Sequence, residues 1–243
     1  MIDDEFSDIF DDIDTEINHF QELYPDLNNN ESSLYYNIDN FNKLPLMHKN
    51  NLNIFYQNIR SLNSNYDNIV NFMNSVSVKF DIICFSESWL TDHSAKFYEF
   101  DNLNSFHSLR SADTFISHGG VSAYISCDIA ATKIDNCTLM NPNIESLFLN
   151  LYRDNKHFIL GIIYRPPNSD CNIFIDKLGE IISSLNLNNS KDCFICGDFN
   201  LDMLNYLNCS NTLKFINLLN TSALIPLISK PIRITTNSST LIA

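Results

Sequence analysis

The stretch His157-Phe-Ile-Leu-Gly-Ile-Ile-Tyr-Arg-Pro-Pro-Asn168 sets the pattern that decides the fold of this protein. An apolar run of this length, bounded by polar turn residues, is typical of a buried strand. We therefore predict a strand over residues 157–164, and the polar groups of Tyr164, Arg165 and Asn168 come where it ends.

Three other buried segments end in the same way. Gln57-Asn58 follow an apolar segment that begins at residue 52, and Ser86-Glu87-Ser88-Trp89-Leu90 follow residues 80–85. Gly197-Asp198-Phe199-Asn200 follow residues 192–196. Loops at the carboxyl ends of strands converge above a rigid sheet. The four breaks therefore predict one functional site at one edge of an α/β scaffold.

Apolar spacing predicts the remaining elements. Further strands are predicted over residues 121–127, 146–152 and 223–228. Helices are predicted over the apolar faces at residues 66–76, 173–185 and 213–219. Asp154-Asn155 indicates a hairpin turn, and Ser169 or Asp170 is the candidate N-cap of the second helix. Hairpins mixed with crossover helices predict an α/β protein with mixed sheets.

The charge of the chain is concentrated near its start. The 243 residues carry 15 Lys+Arg against 29 Asp+Glu, and residues 1–31 hold 11 of those acids and no Lys or Arg. We predict an acidic, flexible leader and linker over residues 1–50 and a single domain over residues 51–243. A hydrophobic fraction of 44% excludes global disorder. The nearly neutral body excludes a basic nucleic-acid module.

Compartment and redox state follow from what the sequence contains. Residues 1–10 are acidic, so we expect no secretory signal. The apolar runs fall short of the roughly 20 residues of a membrane span. Seven Cys are interpreted as reduced thiols of an intracellular protein. Cys193 and Cys196 form a CxxC on a predicted strand, where positions three apart point to opposite faces, and we interpret them as strand residues rather than zinc ligands.

The residue types at the strand ends suit metal-assisted phosphoester hydrolysis. The carboxylates of Glu87 and Asp198, with the amide oxygens of Asn58 and Asn200, form a hard oxygen set suited to Mg²⁺. A carboxylate beside the metal can take a proton from the attacking water. Tyr164 and the Asn amides can donate hydrogen bonds to a phosphoryl oxygen that gains charge.

Each of these residues also has a structural alternative. Glu87 alone fits a helix N-terminal acid, and Asp198 fits a cap. Tyr164 fits an aromatic at the edge of the core, and Asn58 fits a turn residue. The shared position at strand ends favours the site. So does glycine usage, because four of only five Gly lie in or beside the predicted site or its strands: Gly119, Gly120, Gly161 and Gly197.

These motifs belong to an ordered series over residues 52–242. Its members are Asn53-Ile-Phe-Tyr-Gln-Asn-Ile-Arg-Ser-Leu62, Asp81-Ile-Ile-Cys-Phe-Ser-Glu-Ser-Trp-Leu90, Gly119-Gly-Val-Ser-Ala-Tyr124, Gly161-Ile-Ile-Tyr-Arg-Pro-Pro-Asn168, Cys196-Gly-Asp-Phe-Asn-Leu-Asp202 and Pro231-Ile-Arg-Ile-Thr-Thr-Asn-Ser-Ser-Thr-Leu-Ile242. With them the chain resembles the endonuclease/exonuclease/phosphatase superfamily. More narrowly, it resembles the apurinic-type endonuclease domain of LINE-type (non-LTR, jockey-like) retrotransposon reverse transcriptases.

The resemblance implies an α/β four-layer sandwich of two mixed β-sheets flanked by helices. It implies Mg²⁺-dependent nicking of target DNA in the nucleus, with Mn²⁺ as the alternative ion and neither a membrane nor a small-molecule cofactor. Glu87 would be the principal metal ligand and Asn58 would lie at the metal–water shell. Tyr164 would contact the scissile phosphate, Asp198 would activate water or the leaving group, and Asn200 would orient phosphate and nucleophile.

Further residues are candidates for phosphate contacts. The resemblance matches Asn168 to a phosphate-contacting Asn and Thr235 to a Thr near the site, with Thr236 as the adjacent alternative. Affinity for nucleic-acid phosphates comes largely from Lys and Arg. The arginines near predicted site loops are Arg60, Arg110, Arg165 and Arg233. We select Arg60 and Arg165 as phosphate-binding residues, whereas an ordinary surface arginine is favoured at Arg110.

The sequence departs from the family pattern at its end. In the family an Asp-His or Asp-Asn pair follows Ser-Thr-Leu-Ile, and a later Ser-Asp-His supplies a His that polarises the scissile phosphate. Here Ala243 follows Ile242, and none of the six His has that neighbourhood. We expect a C-terminally truncated domain that lacks its last strand or strands, with weakened or abolished turnover. The alternatives are an inactive retroelement remnant or incomplete gene model and, ranked third, a lipid or inositol phosphatase.

Overall fold

The computed structural model of the chain describes residues 34–44, 52–110, 118–187, 192–235 and 238–241. They form two compact units, one over residues 36–199 and one made of residues 34–35 and 200–241. The helices are α1 (Ile38–Phe41), α2 (Leu62–Ser75), α3 (Cys171–Ser184) and α4 (Ser210–Thr221). The strands are β1 (Ile54–Asn58), β2 (Ile82–Ser86), β3 (Leu103–Ser108), β4 (Val121–Ser126), β5 (Ala130–Lys133), β6 (Glu145–Arg153), β7 (Lys156–Tyr164), β8 (Asp192–Asp198), β9 (Arg233–Thr235) and β10 (Ser238–Thr240).

The larger unit contains two four-stranded sheets, and each sheet is mixed. The first has the order β1-β2-β4-β3, in which β1 and β2 are parallel and the other pairs are antiparallel. The second has the order β5-β6-β7-β8, in which β7 and β8 are parallel. The predicted α/β architecture of two mixed sheets with flanking helices is confirmed.

The two sheets pack face to face through alternate residues of their strands. Ile82 and Cys84 of β2 share one buried apolar cluster with Leu160 and Ile162 of β7. The intervening residues of the first sheet, such as Phe85, point to the opposite face and pack with Leu62 and Ile69 of α2. This alternation follows from the two-residue period of a strand. It lets one sheet bury both of its faces.

Local signals in the sequence placed two boundaries correctly. Asp154 and Asn155, with φ of 51° and 60°, form the turn between β6 and β7. Asx residues tolerate this left-handed conformation, which hairpin turns need. Asp170 is the N-cap of α3, where its Oδ1 accepts hydrogen bonds from the N–H groups of Asn172 and Ile173.

The smaller unit contains α4 and the antiparallel pair of β9 and β10. The strand predicted over residues 223–228 is wrong, because residues 224–232 form neither helix nor strand. Pro226 has no N–H to give to a ladder, and Ala223 has a φ of 55°, which no extended strand contains. Apolar content alone therefore overstated the β character of this segment.

Two strands have no apolar run that would predict them. β3 and β5 are edge strands, and β5 reads Ala-Ala-Thr-Lys with three of four residues exposed. Edge strands are commonly short and polar, because this limits pairing with other chains. Residues 1–33, which include most of the predicted acidic leader, lie outside the described residues. Within the described part of the chain no helix is long and apolar enough to cross a membrane.

Candidate active site

The strand ends of the larger unit converge as the sequence predicts. Asn58 and Ser86 are register partners at the ends of the parallel strands β1 and β2. Tyr164 and Asp198 are register partners at the ends of β7 and β8. Parallel pairing brings carboxyl ends to the same edge of a sheet, so each sheet contributes one polar pair.

The amide of Asn58 joins the two sheets. Its Nδ2 donates one hydrogen bond to Glu87 Oε1 over 2.7 Å and one to Asp198 Oδ2 over 2.6 Å. Glu87 follows β2 in the first sheet, whereas Asp198 ends β8 in the second. The sequence predicts one site for these three residues, and the structure brings them into direct contact. The contact holds two carboxylates on either side of a single amide group.

The donor set around Asn58 fits a hard cation. Its Oδ1 is buried and has no hydrogen-bond partner among the described residues. Buried polar atoms normally have a partner, so an unpaired oxygen beside two carboxylates is a candidate ligand for an ion or water. No group of three or more His, Cys, Asp and Glu side chains suited to a metal occurs in the described ranges. A site here would therefore use the Asn58 amide oxygen together with carboxylate oxygens.

Glu87 lies in a left-handed backbone conformation, with φ of 50°. A non-glycine residue there costs free energy and persists only when its surroundings hold it. The carbonyl oxygen of Glu87 accepts the N–H of Ser61 over 2.8 Å, and that of Ser88 accepts the N–H of Leu62 over 2.9 Å. These bonds continue the β1–β2 pairing beyond the strands. They fix the direction in which the Glu87 carboxylate leaves the sheet.

Tyr164 contacts the same carboxylate. Its phenol lies close enough to Glu87 for the two groups to interact electrostatically. Burial raises the pKa of Tyr164 well above its usual value, and the negative charges of Glu87, Glu145 and Asp198 raise it further. A raised pKa keeps the phenol protonated, so Tyr164 is a hydrogen-bond donor rather than a base. This fits the contact with a phosphate that the resemblance implies.

The sequence does not predict the ion pair that two residues, Glu145 and Arg110, form at the site. Glu145, the first residue of β6, is a register partner of Tyr164 and is fully buried. Its carboxylate pairs with Arg110, whose Nε lies 2.6 Å from Oε1. Burial raises the pKa of Glu145, against the opposing effects of the Gly120 N–H and Arg110. Arg110 is thus engaged with a buried acid rather than being the ordinary surface arginine that was favoured.

The other predicted phosphate contacts of the larger unit lie in different surroundings. Arg165 is 7% exposed, and its Nε donates to the Phe199 carbonyl oxygen over 2.5 Å. Its Nη1 donates to Ser169 Oγ over 3.1 Å. Arg165 therefore ties the end of β7 to the loop after β8. Arg60 is exposed beside the site, and Asn168 is exposed in the turn after β7. Their phosphate contacts stay predictions.

The approach of β7 to β8 at the site requires glycine. A Cβ added to Gly197 would lie 2.1 Å from the carbonyl oxygen of Ile163. No real Cβ comes so close to a backbone oxygen, and backbone cannot move aside as a flexible side chain can. The close approach of β7 and β8 therefore explains why a glycine occupies position 197, one residue before Asp198.

The remaining predicted site residues belong to the smaller unit. Asn200 is its first residue after the larger unit and has a φ of 50°. Arg233 begins β9 and Thr235 ends it, while Thr236 lies outside the described residues. Their assigned roles stay predictions.

Comparison with known proteins agrees with this architecture. The endonuclease domain of TRAS1, a telomere-specific non-LTR retrotransposon, is similar to the chain with a TM-score of 0.55 and 12% identity, over 79% of this chain and 83% of that one. The human Nocturnin catalytic domain has a TM-score of 0.52 and 10% identity, with 70% of each chain covered. AP endonuclease LMAP from Leishmania major has a TM-score of 0.51 and 14% identity, over 70% of this chain and 66% of that one.

At these identities the structural likeness shows the fold alone. A search of curated protein sequences finds no significant match. Residues 34–212, most of the chain, match the Endonuclease/Exonuclease/phosphatase family as a sequence pattern. This range contains the converging strand ends and the Asn58–Glu87–Asp198 contact. The protein therefore belongs to the Endonuclease/Exonuclease/phosphatase family.

Proposed function

We propose that the chain is a Mg²⁺-dependent endonuclease that nicks DNA by hydrolysing a phosphodiester bond. The observation that carries the proposal is the amide of Asn58 between two carboxylates, with its Oδ1 buried and unpaired among the described residues. Carboxylate and amide oxygens are the ligands that Mg²⁺ prefers, together with several waters. Glu87 and the Oδ1 of Asn58 would hold the ion.

Mg²⁺ bound there would polarise a phosphoryl oxygen and offset the charge that builds up on it. Asp198 would take the proton of the attacking water as a general base. The hydrogen bond from Asn58 Nδ2 to Oδ2 would orient the Asp198 carboxylate for this step. Asn200, two residues further along the chain, would orient the phosphate and the nucleophile.

Tyr164 would donate its phenolic proton in a hydrogen bond to the phosphoryl oxygen. In the structure that phenol lies near Glu87, and burial together with the negative charges of Glu87, Glu145 and Asp198 raises its pKa and keeps it protonated. A bound phosphate would present the same kind of anionic acceptor at the same place. A donor already aimed at an anion needs little reorganisation, and this is what makes such hydrogen bonds effective in a transition state.

DNA as substrate is supported by the sequence motifs and by the fold shared with the endonuclease domain of TRAS1. On this basis the nick would leave a 3′-hydroxyl that primes reverse transcription. Arg60 would contribute a phosphate contact at the mouth of the site, since it is exposed and lies two residues after Asn58.

The test is nicking of supercoiled plasmid by the purified 243-residue chain with Mg²⁺. The proposal predicts conversion to open circles that EDTA prevents and that Asp198→Ala removes. Asp192→Ala is the matched control, because Asp192 is an exposed acid at the other end of the same strand. A folded chain that leaves the plasmid intact would support the inactive remnant. Cleavage of phosphomonoesters in place of DNA would support the phosphatase branch.

A further inference from the structure

We infer that Glu145 is a positioning residue of this site, because its carboxylate holds the Gly119–Gly120 loop that fixes the backbone after Glu87. The inference rests on the proposed function for the reaction that it assists. Glu145 acts through the loop, not on the substrate.

The carboxylate of Glu145 divides its two oxygens between two partners. Oε1 accepts hydrogen bonds from Nε and Nη2 of Arg110, with Nε at 2.6 Å. Oε2 accepts the backbone N–H of Gly120 over 2.5 Å. A buried carboxylate is tolerated when it is paired and hydrogen-bonded in this way. Glu145 begins β6 in the second sheet, and Gly120 directly precedes β4 in the first. The contact therefore joins the two sheets.

The Gly119–Gly120 loop in turn holds the segment that carries Glu87. The carbonyl oxygen of Gly120 accepts the N–H of Ser88 over 3.1 Å, and that of Gly119 accepts the N–H of Trp89 over 2.8 Å. Glu87 and Trp89 both have left-handed φ values, of 50° and 52°. Two such residues within three positions need an external hold. The loop supplies it on one side, and Ser61 supplies it on the other.

Glycine is required where the loop meets the ion pair. Gly119 has a φ of 126°, and a Cβ there would lie 2.6 Å from Arg110 Nε and 2.7 Å from Glu145 Oε1. Gly120 has a φ of 81°. Both positions thus favour glycine by conformation, and Gly119 also does so by close approach. The loop therefore packs closely against the Glu145–Arg110 pair, in addition to forming a hydrogen bond with it.

The proposed role of Glu145 requires its side chain to be negatively charged. Glu145→Gln keeps the shape and one oxygen acceptor but cannot accept from Arg110 and Gly120 equally. The loop would then relax, and the Glu87 carboxylate would lose its fixed direction. Residues that orient metal ligands from outside typically change metal affinity by 10- to 100-fold when replaced. We expect about a tenfold rise in the Mg²⁺ concentration for half-maximal nicking, with kcat at saturating Mg²⁺ nearly unchanged.

Trp89 provides a readout that does not depend on activity. It is the single Trp of the chain, so selectively excited tryptophan emission reports on the segment that carries Glu87. Its ring centroid lies 4.1 Å from that of His118, and its backbone N–H bonds to Gly119. If Glu145 holds the loop, Glu145→Gln should shift the Trp89 emission spectrum and alter its quenching by iodide.

The control is Asp81→Asn. Asp81 also pairs with an arginine and accepts a backbone N–H, from Arg153 and Asn53, but it precedes β2 rather than following it. The inference predicts that Glu145→Gln changes Trp89 emission and the Mg²⁺ midpoint, whereas Asp81→Asn changes neither. Unchanged emission in Glu145→Gln would overturn it. So would a fall in kcat with an unchanged Mg²⁺ midpoint.

The two proposals fail separately. If the wild-type chain does not nick DNA, the proposed function fails, while the emission of Glu145→Gln still decides whether Glu145 holds the loop. If Glu145→Gln does not fold, Gly119→Ala tests the same contact from the loop side, and an unshifted emission there overturns the inference.

Discussion

The two ends of strands β2 and β6 carry the same chemical device in opposite surroundings. At one end Asp81 precedes β2 and pairs with Arg153, the last residue of β6, over 3.0 Å. At the other end Glu87 follows β2, and Glu145, the first residue of β6, pairs with Arg110. In each pair the carboxylate accepts hydrogen bonds from an arginine and from a backbone N–H. The two ends therefore share the contacts that join the sheets, and only the Glu87 end also carries the candidate site.

At the Asp81 end the pair is partly buried, with Arg153 and Asp81 side chains 21% and 17% exposed, and two further acids lie near the arginine. Arg153 also lies near Asp128 at 3.5 Å and Asp154 at 3.7 Å, whose side chains are 58% and 78% exposed. Exposed pairs of this kind contribute little, because water screens them and their side chains are free to move. This end therefore closes the sheets without a demand for a ligand.

The Glu87 end is buried and incompletely satisfied. Three of the four buried side-chain polar atoms without a partner in the described ranges belong to Asn58, Ser88 and Trp89, which flank Glu87. Unpaired buried polar atoms cost stability and are rare in native proteins. Their concentration at one end shows where the fold gives up stability. A hydrated ion and a phosphate would satisfy such atoms.

The largest expected difference between the ends concerns catalysis. Asp198→Asn should lower the nicking rate by about 10³-fold, because a positioned general base is lost. Asp81→Asn makes the same chemical change at the other end and should leave the rate within about twofold, since surface charges are screened over distance. Initial rates on supercoiled plasmid measure both. A tenth or more of wild-type activity in Asp198→Asn would remove Asp198 from the mechanism.

Tyr164→Phe is the next largest effect. It removes one donor to the developing charge and should lower kcat by about 10²-fold. The ring remains to fill its place among the inter-sheet core residues, so thermal unfolding should change little. Single-turnover cleavage of an oligonucleotide duplex measures the loss. An unchanged kcat would remove the phenol from the mechanism.

Gly197→Ala should lower the free energy of unfolding, because it disturbs the strand pairing next to the site. The new Cβ would meet backbone at 2.1 Å, and overpacking of this kind costs about 1–3 kcal/mol or more. Gly161→Ala, in the middle of β7, would meet the Phe148 ring at 2.4 Å. A ring can rotate or shift, so we expect the smaller loss of unfolding free energy there. Urea unfolding of both variants tests the order, and a larger loss in Gly161→Ala would contradict it.

The smallest effect is a pH dependence that belongs to neither end. Burial, together with the nearby charge of Lys133, lowers the pKa of His107 from its usual 6.5 to about 4. The unfolded chain binds this proton near pH 6.5 and the folded chain only near pH 4. Stability from neutral His107 is therefore complete above pH 6.5 and falls as the pH drops towards 4. The slope should be at most about 1.4 kcal/mol per pH unit.

His107→Gln removes this titration. Unfolding free energies of the variant should depend less on pH between 4 and 6.5 than those of the wild type. Equal slopes in the two proteins would show that His107 is protonated in the folded chain. Asp81→Asn, which leaves the histidine in place, serves as the reference.

Much of the candidate site could be predicted because its residues interrupt periodic patterns. Asn58, Glu87, Tyr164 and Asp198 each follow an apolar strand, and a polar break after such a run is visible locally. The one strand that was wrongly predicted, over residues 223–228, contains Pro226 and the left-handed residue Ala223. The proline is a local signal as well, so the sequence already argued against a strand there.

The strand–helix alternation, the places where polar groups leave the strands, and the family can all be inferred from the order of the amino acids. Which charged groups meet depends on how the strands pair and how the sheets pack. Arg110 and Gly120 lie 35 and 25 residues from Glu145, and the carbonyl that Arg165 binds lies 34 residues away. Periodicity is a property of neighbours along the chain, whereas an ion pair depends on distance in space. For that reason Glu145 acquires its partners only when the two sheets pack, and Arg165 reaches the Phe199 carbonyl only when β7 pairs with β8.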